Sequence, residues 1–171
     1  MQTPCLGGLL TGAEDAYIIC RNDEASTAIA KGDTVCFTMD GTRDGKDVVL
    51  PGTGGLKSHS LIAGVAEEAA VAGAKVRLKA RGVVNTLNIM RMTRAATTDA
   101  WATIPAVALY DVFNIDTVGG YPRRSAAAAE TIHPASIIAL GTLASVATQA
   151  STTSNTSLVS TSTIKAFVRV F

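Results

Sequence analysis

The sequence predicts a mainly β protein: a small antiparallel β-barrel or sandwich with a Ser/Thr-rich C-terminal elaboration. Three observations lead to this fold class. Residues 75–84 alternate between apolar and charged side chains, which is the period of a strand with one buried and one solvated face. Short apolar runs are separated by segments rich in Gly, Asp and Pro, which are typical of turns. Residues 162–171 alternate again and predict a final strand.

The N-terminal residues 1–13 contain a proline and several glycines but no charged side chain. This composition predicts an extended arm that precedes a β-barrel or sandwich domain at residues 14–171, which includes the C-terminal strand. The apolar side chains of Leu6, Leu9 and Leu10 would be exposed unless the arm docks on another surface. A frayed terminus is the alternative interpretation.

The first half of the domain contains short apolar runs that predict strands at residues 15–20, 25–30, 34–39 and 47–50. The sequence Lys31-Gly32-Asp33 predicts the turn before the third of these strands. The Asp-Gly pairs within residues 40–46 predict the loop that follows it, because Gly adopts a positive φ at little cost.

A β-hairpin is the clearest single prediction, with strands at residues 61–67 and 75–84 and a turn of small residues at 70–74. Gly64 and Gly82 lie inside the two strand patterns. A glycine in that position usually indicates a β-bulge or a close approach of another backbone.

The second strand of this hairpin has one apolar and one basic face. Its apolar face consists of Val76, Leu78, Ala80 and Gly82. Its basic row consists of Lys75, Arg77, Lys79 and Arg81. The basic row is either a solvated face or a contact with an acidic partner surface or a nucleic acid. No aromatic residue interleaves with the row along the strand, so base stacking is not supported.

The second half of the chain predicts strands at residues 85–94, 101–112 and 136–146, a loop at 114–124 and a turn or two of helix at 125–130. Pro105 restricts its strand to a sheet edge or a bend. Residues 148–163, rich in Ser and Thr, predict either a linker or a strand, because Thr favours strands. The last strand has Phe167 and Phe171 on one face and aliphatic side chains on the other, so it predicts a partner sheet.

Composition limits the classes of function. The net charge of +1 argues against a nucleic-acid binder that relies on bulk electrostatics. Charged residues make up 17 %, below the usual value of about 25 %, which favours a chain packed in an assembly over an unusual monomer. The three cysteines have no Cys-x-x-Cys spacing, so we expect them to be reduced and partly buried. No apolar run reaches membrane-spanning length, and residues 1–18 lack a basic segment followed by a long apolar region, so we expect no signal peptide and synthesis and retention in a cytosol.

No catalytic, cofactor or metal site is predicted. His59 and His133 are far apart and neither has a neighbour at metal-ligand spacing. The Gly-rich residues 52–58 do not have the P-loop spacing. Glu67 and Glu68 are adjacent on a strand, so their carboxylates point to opposite faces and do not converge for acid–base chemistry.

The hairpin carries a resemblance to a known family. Its motif consists of Gly64-Val65-Ala66, then Ala72-Gly73, then Val76, Leu78 and Gly82-Val83-Val84, preceded by Lys31-Gly32-Asp33-Thr34-Val35. This pattern resembles the small β-barrel proteins that decorate bacteriophage capsids. The resemblance covers residues 14–90, whereas the Ser/Thr-rich segment and the C-terminal third depart from the short members of the family.

The resemblance implies a capsid decoration (cement) protein that is not an enzyme and needs no cofactor, membrane or direct nucleic-acid contact. Such proteins usually sit as homotrimers on the outer surface of the virion, where they bridge neighbouring major capsid proteins after synthesis in the bacterial cytoplasm. On this interpretation the N-terminal arm and the last strand reach other chains, and the expected interface residues are Leu6, Leu9, Leu10, Phe167 and Phe171.

Two alternatives remain open at this point. One is another phage structural β-protein, such as a head–tail connector, a tail tube or a fibre base, which would assemble into rings or tubes. The other is a ligand-binding or enzymatic β-barrel, which would have a concave pocket with convergent polar groups.

Overall fold

The computed structural model describes residues 15–38, 45–51, 62–93, 104–115, 122–124, 136–146 and 159–170. Within these residues the chain is mainly β and contains no helix, which confirms the predicted fold class. The strands are β1 (Ala16–Asn22), β2 (Thr34–Phe37), β3 (Asp47–Val49), β4 (Ile62–Ala66), β5 (Lys75–Thr93), β6 (Val112–Ile115), β7 (Pro122–Arg124), β8 (Ser136–Ala139) and β9 (Val159–Arg169).

Strands β1, β3, β2, β4 and β5 form a closed five-stranded barrel, because β5 pairs with β4 on one edge and with β1 on the other. All pairings in this ring are antiparallel except the parallel pair of β1 and β3. Its interior is built largely from small and β-branched side chains: Cys20, Ile29, Val35, Val48, Ala63, Ala66, Ala70, Val76 and Leu78.

Strand β5 continues past the barrel and organises the rest of the chain. Its C-terminal part pairs with β9 on one side and with β7 on the other, and β7, β6, β8 and β9 are joined in that order. The pairings therefore complete a second circuit through the same strand. Its core contains Val84, Leu87, Ile89, Val107, Phe113, Ile137, Ala139, Ile164, Ala166 and Val168.

The two circuits pack against each other across β2 and β4. Every residue of β4 is buried, although a barrel strand ordinarily has one wet face. The reason is that Ala66 faces the barrel interior while Val65 belongs to the second core. Cys36 and Ile62 form a further buried contact with Val170, just after β9.

The two strand glycines occupy the special positions that the sequence indicated. Gly64 has φ +152° and Gly82 has φ +120°, a region that favours glycine. A Cβ on Gly64 would lie 2.6 Å from the backbone oxygen of Lys79. A register shift between Val35 and Cys36 lies opposite Gly64, so the prediction of a bulge or close approach is confirmed.

The turn at Lys31-Gly32-Asp33 is also confirmed, with Gly32 at φ +89°. The Asp33 carboxylate accepts hydrogen bonds from the backbone N–H of Ala30 and from Nδ2 of Asn88, both at 2.8 Å. The turn is thereby tied to the second half of β5.

Several predicted elements differ from the structure. Residues 25–30 form bends with a single β-bridge from Ile29 to Ala70, because the Asn22 side chain donates to the carbonyl oxygens of Thr27 and Ala70 and holds the segment folded back. In the strand predicted at 101–112, the described residues before Val112 make only isolated bridges, since Pro105 has no N–H to extend a ladder, whereas Val112 begins β6.

The predictions for the C-terminal half were partly wrong. Residues 114–124, predicted as a loop, include the end of β6 and all of β7, which pair with each other. The strand predicted at 136–146 ends at Ala139, where a bend begins. Strand β9 begins at Val159 and extends the predicted last strand into the Ser/Thr-rich segment. The predicted arm at 1–13 and helical turns at 125–130 lie outside the described residues.

The cysteine prediction is confirmed for the two cysteines that the structure describes. Cys20 and Cys36 are buried and are not in a disulfide. Burial raises the pKa of the Cys36 thiol to about 12, and burial together with the charge of Asp47 raises that of Cys20. Both thiols therefore act as small apolar core groups at neutral pH.

Candidate interaction surface

The outer surface of β1 and β5 combines aromatic, aliphatic and basic side chains. Tyr17, Ile19 and Arg21 of β1 lie directly opposite Lys79, Arg77 and Lys75 of β5, respectively. Directly opposed side chains point to the same face of a sheet. The alternate pair of Ile18 and Leu78 faces the barrel core, so these six side chains point outward.

We define the β1–β5 surface as this outward set with the next basic residue of the strand: Tyr17, Ile19, Arg21, Lys75, Arg77, Lys79 and Arg81. Ile19 is 68 % exposed and Tyr17 is 42 % exposed. The Arg77 guanidinium lies 5.2 Å and the Lys79 ammonium 5.1 Å from the centre of the Tyr17 ring. These cation–π contacts orient the ring.

Lys79 is buried, so a face solvated along its whole length, one of the interpretations that the sequence left open for the basic row, does not hold at this residue. Its ammonium donates to Asp15 Oδ2 at 3.0 Å and to the Val83 carbonyl at 2.8 Å, and it lies 3.5 Å from Glu67 Oε1. Glu67 and Asp15 come from other segments, and together they neutralise a charge that would otherwise be costly to bury.

This ion-pair cluster shifts the pKa values of Lys79 and Asp15. Burial by itself would lower the pKa of Lys79, but the hydrogen bonds to Asp15 and Tyr17 and the charge of Glu67 together raise it. The hydrogen bond from Lys79 lowers the pKa of Asp15 despite the opposing effect of burial. Both groups are therefore held in their charged forms at neutral pH.

Arg21 is neutralised in a similar way at the other end of the surface. Its guanidinium donates to Asp47 at 2.7 Å and to Asp23 at 2.8 Å, and the hydrogen bond to the buried Asp47 is the main cause that raises the pKa of Arg21. Four carboxylates are thus occupied by the two cations: Asp15 and Glu67 by Lys79, and Asp23 and Asp47 by Arg21.

The remaining cations extend from the β1–β5 surface onto β9. Arg169 lies directly opposite Arg81 in the β5–β9 pair. Neither arginine forms an ion pair with any carboxylate in the part of the chain that the structure describes. The Nε atom of Arg81 is buried without a hydrogen-bond partner among the same residues.

A second exposed feature is the turn that contains Leu109 and Tyr110, which are 45 % and 69 % exposed. Tyr110 has φ +69°, a left-handed conformation that is uncommon for a residue with a side chain. The turn is held by a hydrogen bond from the Tyr110 N–H to Ala139 and by the Asp111 carboxylate, which accepts from the N–H of Ala108 at 2.8 Å.

Of the interface residues expected from the sequence, the structure describes Phe167 alone; Leu6, Leu9, Leu10 and Phe171 lie outside the described residues. Phe167 is half-buried on β9 and lies directly opposite Val83 of β5 and Ile138 of β8, which are also half-buried. The three side chains form a short apolar row on the outer side of the sheet. The interface role of Phe167 stays a prediction.

A cavity of about 130 Å³ lies beside Lys79 and is lined by Lys31, Glu67, Asn85 and Thr86, among others. Pockets for small organic ligands usually have volumes of about 300–1,000 Å³, so this cavity is too small for such a ligand. No cluster of three or more potential metal ligands occurs among the described residues. None of the described segments is a helix long and apolar enough to cross a bilayer.

Sequence reasoning missed Tyr17 and Ile19 as members of a surface. Tyr17 lies in a short apolar run, and nothing in that run indicates that β5 will place two cations over its ring. The chain matches no protein-family model, no curated protein and no solved structure in the three comparisons made.

Proposed function

We propose that the protein is a structural virion protein that binds the outer surface of a bacteriophage capsid and stabilises it by bridging neighbouring major capsid proteins. It acts as a homotrimer, without enzymatic activity. The observation that carries the proposal is the arrangement of the residues that resemble capsid decoration proteins. Gly64-Val65-Ala66 and Val76 with Leu78 lie on β4 and β5, which pair within a closed barrel.

The turn motif supports the same proposal. Ala72 and Gly73 lie in the turn between β4 and β5, and Gly73 has φ +77°. Lys31-Gly32-Asp33 lies immediately before β2 of the same barrel. The resembling residues are therefore neighbours in space as well as in sequence.

The surface chemistry suits a protein that docks on a large assembly. Ile19 and Tyr17 present apolar and aromatic area on a closed barrel, and Arg77 lies beside them. Tyr and Arg are enriched among residues that dominate binding at protein interfaces. Repeated weak contacts on one lattice add through multivalency, so each copy needs only a small interface.

The test is cosedimentation of the purified chain with expanded, DNA-free shells assembled from the major capsid protein of the same genome. We expect the wild-type chain to pellet with shells and to raise their melting temperature. Ile19→Ser should weaken attachment about tenfold, because it removes an aliphatic side chain from the interface. Val71→Ser is the matched control, since Val71 is 67 % exposed but lies in the β4–β5 turn.

A wild-type chain that stays in the supernatant at every shell concentration would overturn the proposal. Assembly of the chain alone into rings or tubes would instead favour a connector or tail component. Equal attachment of Ile19→Ser and Val71→Ser would place the contact on another part of the surface.

A further inference from the structure

We propose that Arg81 and Arg169, with Arg77 farther along the same face of β5, form an anion-binding row that takes a carboxylate-rich segment of a partner protein. The inference goes beyond the proposed function, because it concerns the chemistry of the partner and holds whether or not that partner is a capsid protein.

Two like charges lie directly opposite each other where β5 pairs with β9. Arg81 of β5 and Arg169 of β9 are a cross-strand pair, and like charges in that position destabilise a sheet. Arg169 is exposed and Arg81 is half-buried, so solvent screens the charge of Arg169 more strongly than that of Arg81. A bound carboxylate between them would convert the repulsion into two charge-assisted hydrogen bonds.

Arg81 also has an unsatisfied hydrogen-bond donor. Its Nε atom is buried, and no described residue supplies an acceptor. No described acceptor therefore holds this guanidinium in place, and a partner's carboxylate would approach its terminal nitrogens, because Nε itself is not open to solvent. The two observations are independent, since one concerns the charge of a pair and the other a single N–H group.

Four acidic side chains on or beside the β1–β5 surface are already engaged. Asp15 and Glu67 hold Lys79, while Asp23 and Asp47 hold Arg21. Within the described ranges, no carboxylate pairs with Arg77, Arg81 or Arg169. A carboxylate that pairs with the row would therefore come from outside this part of the chain.

A protein carboxylate fits the row better than a nucleic-acid backbone. The chain has a net charge of only +1, whereas nucleic-acid binding depends on many phosphate contacts within a broad basic field. Tyr17 and Ile19 lie next to Arg77 and offer apolar contact area. A mixed surface of Tyr, Ile and Arg is typical of the binding centre of a protein–protein interface.

The experiment measures binding of a fluorescein-labelled oligoglutamate peptide by anisotropy at low ionic strength. A short mixed-sequence DNA duplex with the same label is the second probe. The test variant is R81Q/R169Q. The control variant is K46Q/K165Q, which removes the same charge from two exposed lysines outside the row. Circular dichroism and thermal melting check that each variant is folded.

We expect wild type and K46Q/K165Q to bind oligoglutamate within about twofold of each other, and R81Q/R169Q to bind about fivefold to thirtyfold more weakly. Equal loss in both variants, or no wild-type binding at about millimolar peptide, would overturn the inference. Preference for DNA with the same R81Q/R169Q loss would make the row a nucleic-acid surface instead. If the double variant unfolds, R169Q replaces it, because Arg169 is exposed.

The oligoglutamate experiment and the shell experiment can fail separately. A chain that binds oligoglutamate through the row but does not pellet with shells keeps this inference and overturns the capsid proposal. If wild type does not bind oligoglutamate, but wild type and R81Q/R169Q pellet equally well with shells, the capsid proposal is kept and this inference is overturned.

Discussion

Arg81 of β5 and Arg169 of β9 lie directly opposite each other in an antiparallel pair, so two guanidinium groups share one face of the sheet. Two residues earlier on β5, Lys79 is instead paired with the carboxylates of Asp15 and Glu67. On its outer face, β5 therefore carries one neutralised cation, Lys79, and one cation that faces a like charge on β9, Arg81.

We expect Arg169→Gln to stabilise the isolated protein by about 0.2–1 kcal/mol, because it removes the like-charge contact with Arg81. The effect should shrink at high ionic strength, since salt screens exposed charges. Urea denaturation at low and high salt measures it. Lys165→Gln on the same strand is the control and should change stability little. A destabilisation by Arg169→Gln would mean that the pair is already neutralised within the chain.

Gly64→Ala is expected to destabilise the fold by about 2–4 kcal/mol, combining a strained backbone with overpacking. The clash is with the Lys79 carbonyl oxygen, a backbone atom in a paired strand that cannot move alone. Gly73→Ala is the matched control, because its φ is also positive but a Cβ there would have no neighbour within 4 Å. Chemical denaturation should show a clearly larger loss for Gly64→Ala, and equal losses would refute the steric argument.

Lys79→Met should destabilise the protein by about 1–3 kcal/mol at neutral pH, because it removes a buried donor from Asp15, Glu67 and the Val83 carbonyl. Lys75→Met is the control: Lys75 is exposed on the same strand and forms no ion pair with a described residue. Denaturant midpoints for the three proteins at neutral pH measure the difference.

The pH dependence follows from the lowered pKa of Asp15. A group whose pKa is lower in the folded state stabilises the fold above its unfolded pKa, and that contribution is lost as pH falls through the folded pKa. The gap between wild type and Lys79→Met should therefore narrow in acid. The narrowing is modest, because the Asp15 side chain is 42 % exposed and solvent screens the pair. A gap that is constant from neutral to strongly acidic pH would contradict an electrostatic origin.

The sequence predicted those features of the fold that depend on local pattern. The alternation of residues 75–84 directly indicates a strand, and the structure has β5 there. The special position of Gly64 could be predicted because glycine has no side chain to pack, so its place inside an apolar run indicates a β-bulge or a close backbone approach. The Lys31-Gly32-Asp33 turn was recognisable for a similar reason, since Gly32 supplies the positive φ.

Features that depend on distant segments could not be predicted. Lys79 occupies a polar position in the alternation and gives no local sign that Asp15 and Glu67 will bury it. The same applies to Val65, whose side chain faces a second core formed by residues far along the chain. The candidate surface was predicted only in its basic half, because the pairing that brings Tyr17 of β1 beside Lys79 is not visible in either strand's sequence.

Tyr110 offers a test of whether the exposed turn after Val107 is adapted for stability. A residue with a Cβ in the left-handed region costs about 1–2 kcal/mol, whereas glycine adopts it freely. Tyr110→Gly removes this strain and Tyr110→Ala retains it, while both remove the same exposed ring. We expect the glycine variant to be more stable than the alanine variant by about 1 kcal/mol in urea denaturation.

Equal stability would show that the hydrogen bonds of the turn do not hold residue 110 in this conformation. A glycine variant that is also more stable than wild type would show that the tyrosine is kept at a cost to the fold, which is expected of a side chain selected for contact with a partner.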